Sequence, residues 1–301
     1  MQIQHVLTHQ VLEQWHGDTV RNVLTQELGM ARQVLTRLKR SGSVLKNGQP
    51  CYIRDTVEQG DMLTVVLREE LEQAIEPENI PIAVVYEDDH LLVVNKPAGL
   101  VVHPTKGYMS GTLANAVIYH WALQGKPYVF RPVHRLDRDT SGLVVIAKNP
   151  YIQEALTAQH HTREWTKKYL CLVTGIVPSP HGCIEAPIAR VGNGSRARVI
   201  SAEGKSATTL WELLALYKNA SLLRAELVTG RTHQIRVHFA HIGHPLIGDD
   251  VYGNPSPLIT RQALHAAEIC FTHPISKSAI HLSCPLPEDM MALQHHSSLL
   301  P

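Results

Sequence analysis

Three Phe, four Trp and nine Tyr amount to only 5% of the 301 residues, which argues against a surface built on rows of stacked aromatics. Cysteine is also sparse. Cys51, Cys171, Cys183, Cys270 and Cys284 are odd in number, widely spaced and form no C-x-x-C pair. This argues against a disulfide framework and a thiolate zinc site, and reduced thiols in a cytoplasmic protein are expected. No apolar run approaches the roughly 18 residues a membrane helix needs; Leu91 to Val94 and Leu143 to Ala147 are far shorter. The opening MQIQHVLTHQ lacks the charged start, apolar run and small-residue cleavage site of a secretory signal. Neither sign of charge is in excess, because the net charge is +1. A uniformly basic polyanion binder is ruled out, whereas a locally basic one is not. With 44% hydrophobic and 18% charged residues the chain is globular rather than disordered, and its length suits two domains.

The charge is unevenly placed. From Asp18 to Arg54 seven Lys and Arg face only Asp18 and Glu27, whereas from Asp55 to Asp89 only Arg68 opposes eleven acids. A basic module is thus followed by an acidic connector, REELEQAIEPENIP, whose two prolines suit a linker. Within the module, Val20, Val23, Leu24 and Leu28 recur with helical period up to Gly29. A second helix carries Ala31, Val34, Leu35 and Leu38 inward, with Arg32, Arg37 and Arg40 on its polar side. SVLKNGQPCYI reads as a hairpin about Asn47-Gly48, and MLTVVL as a closing strand. A solvated basic helix face is the simplest account of the charges alone. The order of parts, however, with LGMARQVLTRLKRSG, VLKNGQ and Gly60-Asp61, resembles the ribosomal S-four-type RNA-binding domain over about residues 14 to 70. It departs where that family usually has Ser, at Ala31, which affects a helix-start hydrogen bond and leaves Arg32 in place to contact phosphate. The expected division is 1–80 for this small α/β module with its linker and 81–301 for the remainder.

From Ile82 onward the pattern is mixed. AVVYEDDHLLVVNK reads as two strands about an Asp-Asp turn, GLVVIAKN and KKYLCLVTG as buried strands, and YIQEALTAQHHTREW as a helix between them. No regular β-α-β alternation occurs, which argues against a doubly wound nucleotide fold. Two polar constellations stand out. In RPVHRLDRDTSGLVV the residues Arg131, His134, Arg135, Asp137, Arg138 and Asp139 crowd the approach to a buried strand. The spacing is not that of a kinase His-Arg-Asp loop. Two carboxylates at i and i+2 do not suit a glycosidase pair. A surface ion-pair network is the bland alternative. In LVTGRTHQIRVHFAHIGHPLIGDDVYG, Thr232 is placed to cap a helix that carries Ile235 and Phe239 inward and stops at Gly243. His238, His241 and His244 invite a zinc reading. No H-E-x-x-H is present, and the last His lies beyond the helix end, so no metal is expected.

HRLDRDTSGL resembles the signature of the RluA-type pseudouridine synthases, and the likeness extends over about residues 82 to 290. It includes YEDDHLLVVNKPAGLVVHP, the Lys-x-Tyr of TKKYLCLVTG, GKSATTLWELL, TGRTHQIRVHFAHIGHPLIGDDVYG and RQALHAAEICFTHP. The resemblance implies an α+β chain with a central mixed, largely antiparallel sheet that isomerises specific uridines of structured ribosomal or transfer RNA to pseudouridine. It puts the catalytic aspartate at Asp137, the active-site tyrosine at Tyr169 and the arginine partnering the carboxylate at Arg236. It implies that Arg135 enters the space left by a flipped nucleotide, and that His134 and Lys167 join Arg32, Arg37 and Arg40 in holding RNA. Pseudouridine formation moves ribose carbon 1′ from base nitrogen 1 to base carbon 5, with no oxidation, phosphate energy or metal, and no cofactor is expected. Asp137 can attack carbon 1′ or remove the 2′ proton, and both remain open. Seven positive charges against four acids between Arg131 and Lys168 suit a phosphate-facing rim. A non-catalytic RNA-binding or ribosome-assembly factor is the rival expectation. RNA is the expected partner of a monomer with no membrane contact.

Overall fold

The computed structural model describes residues 2–70, 75–160, 162, 164–192, 195 and 197–296. Residues 71–74 of the acidic connector lie outside them.

The N-terminal module is a four-stranded sheet with two helical segments. β1 (Gln2–Gln10) pairs along its full length with β4 (Met62–Glu70). β2 (Ser43–Lys46) pairs with β4 and then with β3 (Gln49–Cys51), to which it is joined at Asn47 and Gly48, both with positive φ, as the Asn-Gly signal requires. The first helix differs from its expected form. α1 (Val20–Asn22) continues as a π-helical turn over Val23–Glu27, closed by the Leu28 N–H bonding the Val23 carbonyl. α2 (Arg32–Ser41) follows, with Val34, Leu35 and Leu38 buried. β1 escaped the sequence reading because its inward positions, Ile3, His5, Leu7 and His9, mix apolar and imidazole side chains.

The large sheet runs in the order β10 (His181–Glu185), β13 (Thr208–Leu216), β14 (Ala220–Leu227), β9 (Thr166–Thr174), β15 (Leu264–Thr272), β8 (Ser141–Ala147), β6 (Leu91–Lys96), β5 (Ala83–Glu87). β7 (Arg131–Pro132) joins β8, β16 (Ala279–Ser283) joins β15, and β11 (Ile188–Arg190) pairs with β12 (Arg198–Ile200) as a separate hairpin. Its pairings are antiparallel except β15 with β8, in line with the mixed, largely antiparallel expectation. Every residue of β8 is buried. Leu143 and Val145 point to one core, Val144 and Ile146 to the other, as expected for a strand covered on both faces. One face is covered by α3 (Leu113–Leu123) and α5 (Gln234–His241), the other by α4 (Pro150–Gln159) together with the N-terminal module. α6 (Glu288–Gln294) packs at the Leu172 end.

A linker with two prolines predicts few contacts between the two parts. Instead the core of the module is continuous with that of β8 and α4. The Tyr151 hydroxyl donates to the Leu28 carbonyl and Arg131 pairs with Glu69. A domain of about 60 residues buries too little surface to be robust alone, and docking on a larger core supplies the remainder.

The parallel seam matters most. At it, Gly142 of β8, Ala266 of β15 and Tyr169 of β9 lie side by side across three strands. Gly142 has φ +117°, and a Cβ there would lie 2.3–2.7 Å from the Ala266 backbone. Gly142→Ala therefore combines backbone strain with overpacking and is expected to lower unfolding stability by about 2–5 kcal/mol. Urea denaturation measures it; a midpoint within error of wild type would contradict the close approach.

Candidate active site

A cleft of ≈ 370 Å³ opens above this seam, lined by the loop from Val133 to Thr140, by β9, by the turn at Gly230 to Thr232 and by the start of α5. The loop before β8 is held from three sides. Lys96, itself buried, donates to the carbonyls of Arg138 at 2.9 Å, Pro97 at 2.8 Å and Leu100 at 2.9 Å. Arg261 donates to the Asp139 carbonyl at 3.1 Å, and Gln262 to the Thr140 hydroxyl at 3.1 Å. Asp137 at the centre of that loop is thereby fixed, with its carboxylate about one-third exposed to the cleft.

On the opposite wall Gln234 organises the turn. Its side-chain carbonyl accepts from the Arg231 N–H and the Thr229 hydroxyl, while its amide donates to Thr208 and Thr209. This places His233, rather than Thr232, at the cap position of α5, in the left-handed conformation with φ 58°. His233 Nε2 lies 3.8 Å from Asp137 Oδ1, and Arg236 Nη1 lies 3.7 Å from Asp137 Oδ2.

The guanidinium is committed elsewhere. Arg236 Nε and Nη2 each donate to Asp249 at 2.7 Å, and Asp249 is fully buried. Asp249 also accepts from the N–H groups of Val251 and Tyr252. Burial alone would lower the Arg236 pKa, but the hydrogen bonds to Asp249 and the charge of Asp137 outweigh it and hold it above its usual value. Arg236 is thus a fixed cation with one nitrogen turned toward Asp137.

Tyr169 lines the floor, buried, its phenol raised above the usual value by burial first and by Asp137 second. At neutral pH it is a donor and a flat surface, not a base. Lys167 lies two residues earlier on the same face of β9, and burial pulls its pKa down to about 8. It makes no hydrogen bond or ion pair among the described residues, and at neutral pH it retains its charge. Burial, reinforced by Lys167, pushes His134 well below the ordinary imidazole range.

Comparison with known proteins identifies the family. Residues 90–241 match the family model described as RNA pseudouridylate synthase. Over 282 residues the chain is 43% identical to the ribosomal large subunit pseudouridine synthase D of Zymomonas mobilis, covering 88% of each. It is 39% identical to an uncharacterised RNA pseudouridine synthase of Bacillus subtilis, covering 84% of this chain and 85% of that one. Among solved structures, human RNA pseudouridylate synthase domain containing 1 superposes with a TM-score of 0.57 at 27% identity, over 71% of this chain and 85% of that one. This chain belongs to the RNA pseudouridine synthase family.

In the synthase, Asp137, Tyr169, Arg236, Arg135, His134 and Lys167 all line one cleft. Two of them differ from expectation. Arg236 spends its two-pronged contact on Asp249, so it meets Asp137 through a single nitrogen. His134 is buried and neutral, its Nε2 facing the Val145 N–H at 3.3 Å, so it packs the wall and offers no charge to phosphate. Arg32, Arg37 and Arg40 are exposed on α2 and take no part in the cleft. His238 is occupied by the Thr209 hydroxyl and the Ala186 carbonyl. The sequence puts His233 three residues from Arg236 on one helix face without giving it a role, and it leaves Lys96, Asp249 and Tyr252 unmarked. The available signal for Asp249 was an acid in a Gly-Asp-Asp turn within the same motif as Arg236.

Lysine at 236 keeps the charge but cannot make both bonds to Asp249. Arg236→Lys is expected to cost about 1.5–3 kcal/mol of stability, the value of a hydrogen bond to a charged group. Thermal and urea unfolding test this, and unchanged stability would mean that the fork is not formed in solution.

Proposed function

We propose that this synthase isomerises uridine in large-subunit ribosomal RNA and that Asp137 starts the reaction. The observation that carries the assignment is a carboxylate in the cleft wall with a fixed cation 3.7 Å away, across from a buried tyrosine on the cleft floor. The bond from ribose carbon 1′ to nitrogen 1 breaks, the freed uracil turns, and carbon 5 bonds to carbon 1′. The carbon 5 proton leaves and nitrogen 1 regains one, so the product is an isomer. Asp137 serves as nucleophile at carbon 1′ or as base at the 2′ position. Tyr169 supplies the face on which the uracil lies. Extrusion of the base costs a few kcal/mol, and exposed Arg135 at the mouth of the cleft offsets part of it by filling the vacated stack.

RNA is held outside the cleft as well. A groove of ≈ 480 Å³ bordered by Arg190, Arg198, Lys205 and Arg231 shares the Gly230 to Thr232 turn with the cleft, a placement suited to phosphates flanking the flipped uridine. Lys167 inside the cleft adds a charge near the target nucleotide. Residues 1–80 form an S-four-type clamp whose Arg32, Arg37 and Arg40 face solvent, and residues 81–301 form the catalytic domain. The enzyme acts as a monomer in the cytoplasm; no helix of the described residues is long and apolar enough to cross a membrane.

The test is release of tritium from RNA carrying [5-³H]uridine, purified from cells that lack this gene. Wild type should release tritium from large-subunit RNA and not from transfer RNA. Asp137→Asn should be slower by at least about 10²-fold, the lower end for removal of a general base, with RNA affinity unchanged because phosphates are held by separate cations. Multiple turnover by clean Asp137→Asn would refute its role. Absence of release by wild type from every RNA would favour a non-catalytic binding factor.

A further inference from the structure

Two groups flank Asp137, and both rest on one side chain that the reaction as described does not use. The Arg236 guanidinium lies over the Tyr252 ring at 5.2 Å. The Tyr252 hydroxyl meets His233 Nδ1 at 2.7 Å, with the two rings edge to face. The same hydroxyl accepts the backbone N–H of Arg198, on β12, at 2.8 Å.

A backbone N–H can only donate, so the phenol oxygen is an acceptor there, and its single proton remains for another partner. The one acceptor within reach among the described residues is His233 Nδ1. If Nδ1 instead carried the proton, the oxygen would accept twice and the phenol proton would be left without a protein partner, the less favourable arrangement in a part-buried site. Nδ1 is therefore the acceptor, and a neutral His233 must carry its proton on Nε2, the nitrogen 3.8 Å from Asp137 Oδ1.

We propose that Tyr252 locks His233 in the Nε2–H tautomer, so that His233 presents a donor to the Asp137 carboxylate and acts as its positioning residue. The proposal rests on Asp137 being the reacting carboxylate. The groups facing His233 are Asp137 from the loop before β8, Arg236 from its own helix, Arg198 from β12, and Asp249 and Tyr252 from the turn after α5. Burial, Arg236 and Arg198 favour the neutral ring, against the pull of Asp137 and Asp249. A neutral Nε2–H donor and the Arg236 nitrogen then approach different oxygens of one carboxylate, which fixes its plane as the ribose arrives. Closing 3.8 Å to hydrogen-bond length takes a shift of about 1 Å.

The tautomer is read directly from the histidine ring nitrogens by long-range ¹⁵N–¹H correlation spectra of the full-length protein without RNA. The His233 signals are identified by their loss in His233→Gln. Wild type should show a bare Nδ1 and a protonated Nε2. The opposite pattern, or a doubly protonated ring at pH 7.5, overturns the proposal whatever the enzyme's activity proves to be. The kinetic arm uses tritium release under single turnover. Tyr252→Phe should lower the rate about tenfold, the scale of one hydrogen bond to a charged acceptor. KM should stay within about twofold. His233→Gln, which retains an N–H in that region, should exceed His233→Leu in rate, and adding Tyr252→Phe to either should slow it no further. Multiplicative losses would show that Tyr252 acts independently of His233 and refute the lock. Failure of wild type to release tritium from any RNA would count against the function of Asp137 and leave the tautomer result standing.

Discussion

The buried pair of Arg236 and Asp249 is the constraint on which the cleft depends. Two opposite charges withdrawn from water are expensive, and their attraction compensates only when the remaining donors and acceptors are satisfied. Here they nearly all are: Asp249 accepts two bonds from the guanidinium and two from backbone N–H groups. The one nitrogen left over, Nη1, is directed at Asp137. The pair therefore turns a flexible side chain into a fixed cation, which a water-exposed arginine could not supply, because its rotamer entropy and solvent screening would consume most of the gain. The ring of Tyr252, placed by its N–H bond to the same Asp249, completes the wall.

The sheet brings the other half of the site to meet it. A lone parallel junction between β15 and β8 joins two antiparallel halves, and only glycine fits at position 142 beside the Ala266 backbone. The loop that precedes this junction carries Asp137, while Tyr169 projects from the neighbouring strand in register with Ala266. Three side chains from elsewhere, Lys96, Arg261 and Gln262, fasten the loop by its backbone and by Thr140. Preorganisation of this kind is what a reaction without cofactor requires, since the transition state must be met by groups that do not need to reorganise.

Much of the site was legible because it is made of local motifs. Asp137, Tyr169 and Arg236 stand in segments whose residues are close in sequence, and they converge on one cleft. The strands about Asp88-Asp89, the Asn47-Gly48 hairpin and buried β8 followed from turn chemistry and apolar runs. What was not legible is long-range. No periodicity tells that Arg236 prefers Asp249 to Asp137, because both acids are plausible partners until their depths are known. The left-handed conformation of His233 arises from Gln234 tying down the preceding turn, a tertiary effect that overrode Thr232 as a cap. Nor could the acidic connector reveal that the N-terminal module shares a core with α4 and β8, since the Tyr151 to Leu28 contact joins residues 123 apart in sequence.

The central claim is that Asp249 serves Asp137 chiefly through Arg236, its two-bond partner. A double-mutant cycle on the single-turnover rate of uridine isomerisation tests it, with Arg236→Lys, Asp249→Asn and the combined variant, each checked for folding by circular dichroism. If the claim holds, both single variants are slow and the double variant is no slower than the slower of the two, because the second change removes a support already lost. Independent, multiplicative losses, or a wild-type rate in Asp249→Asn, would contradict it.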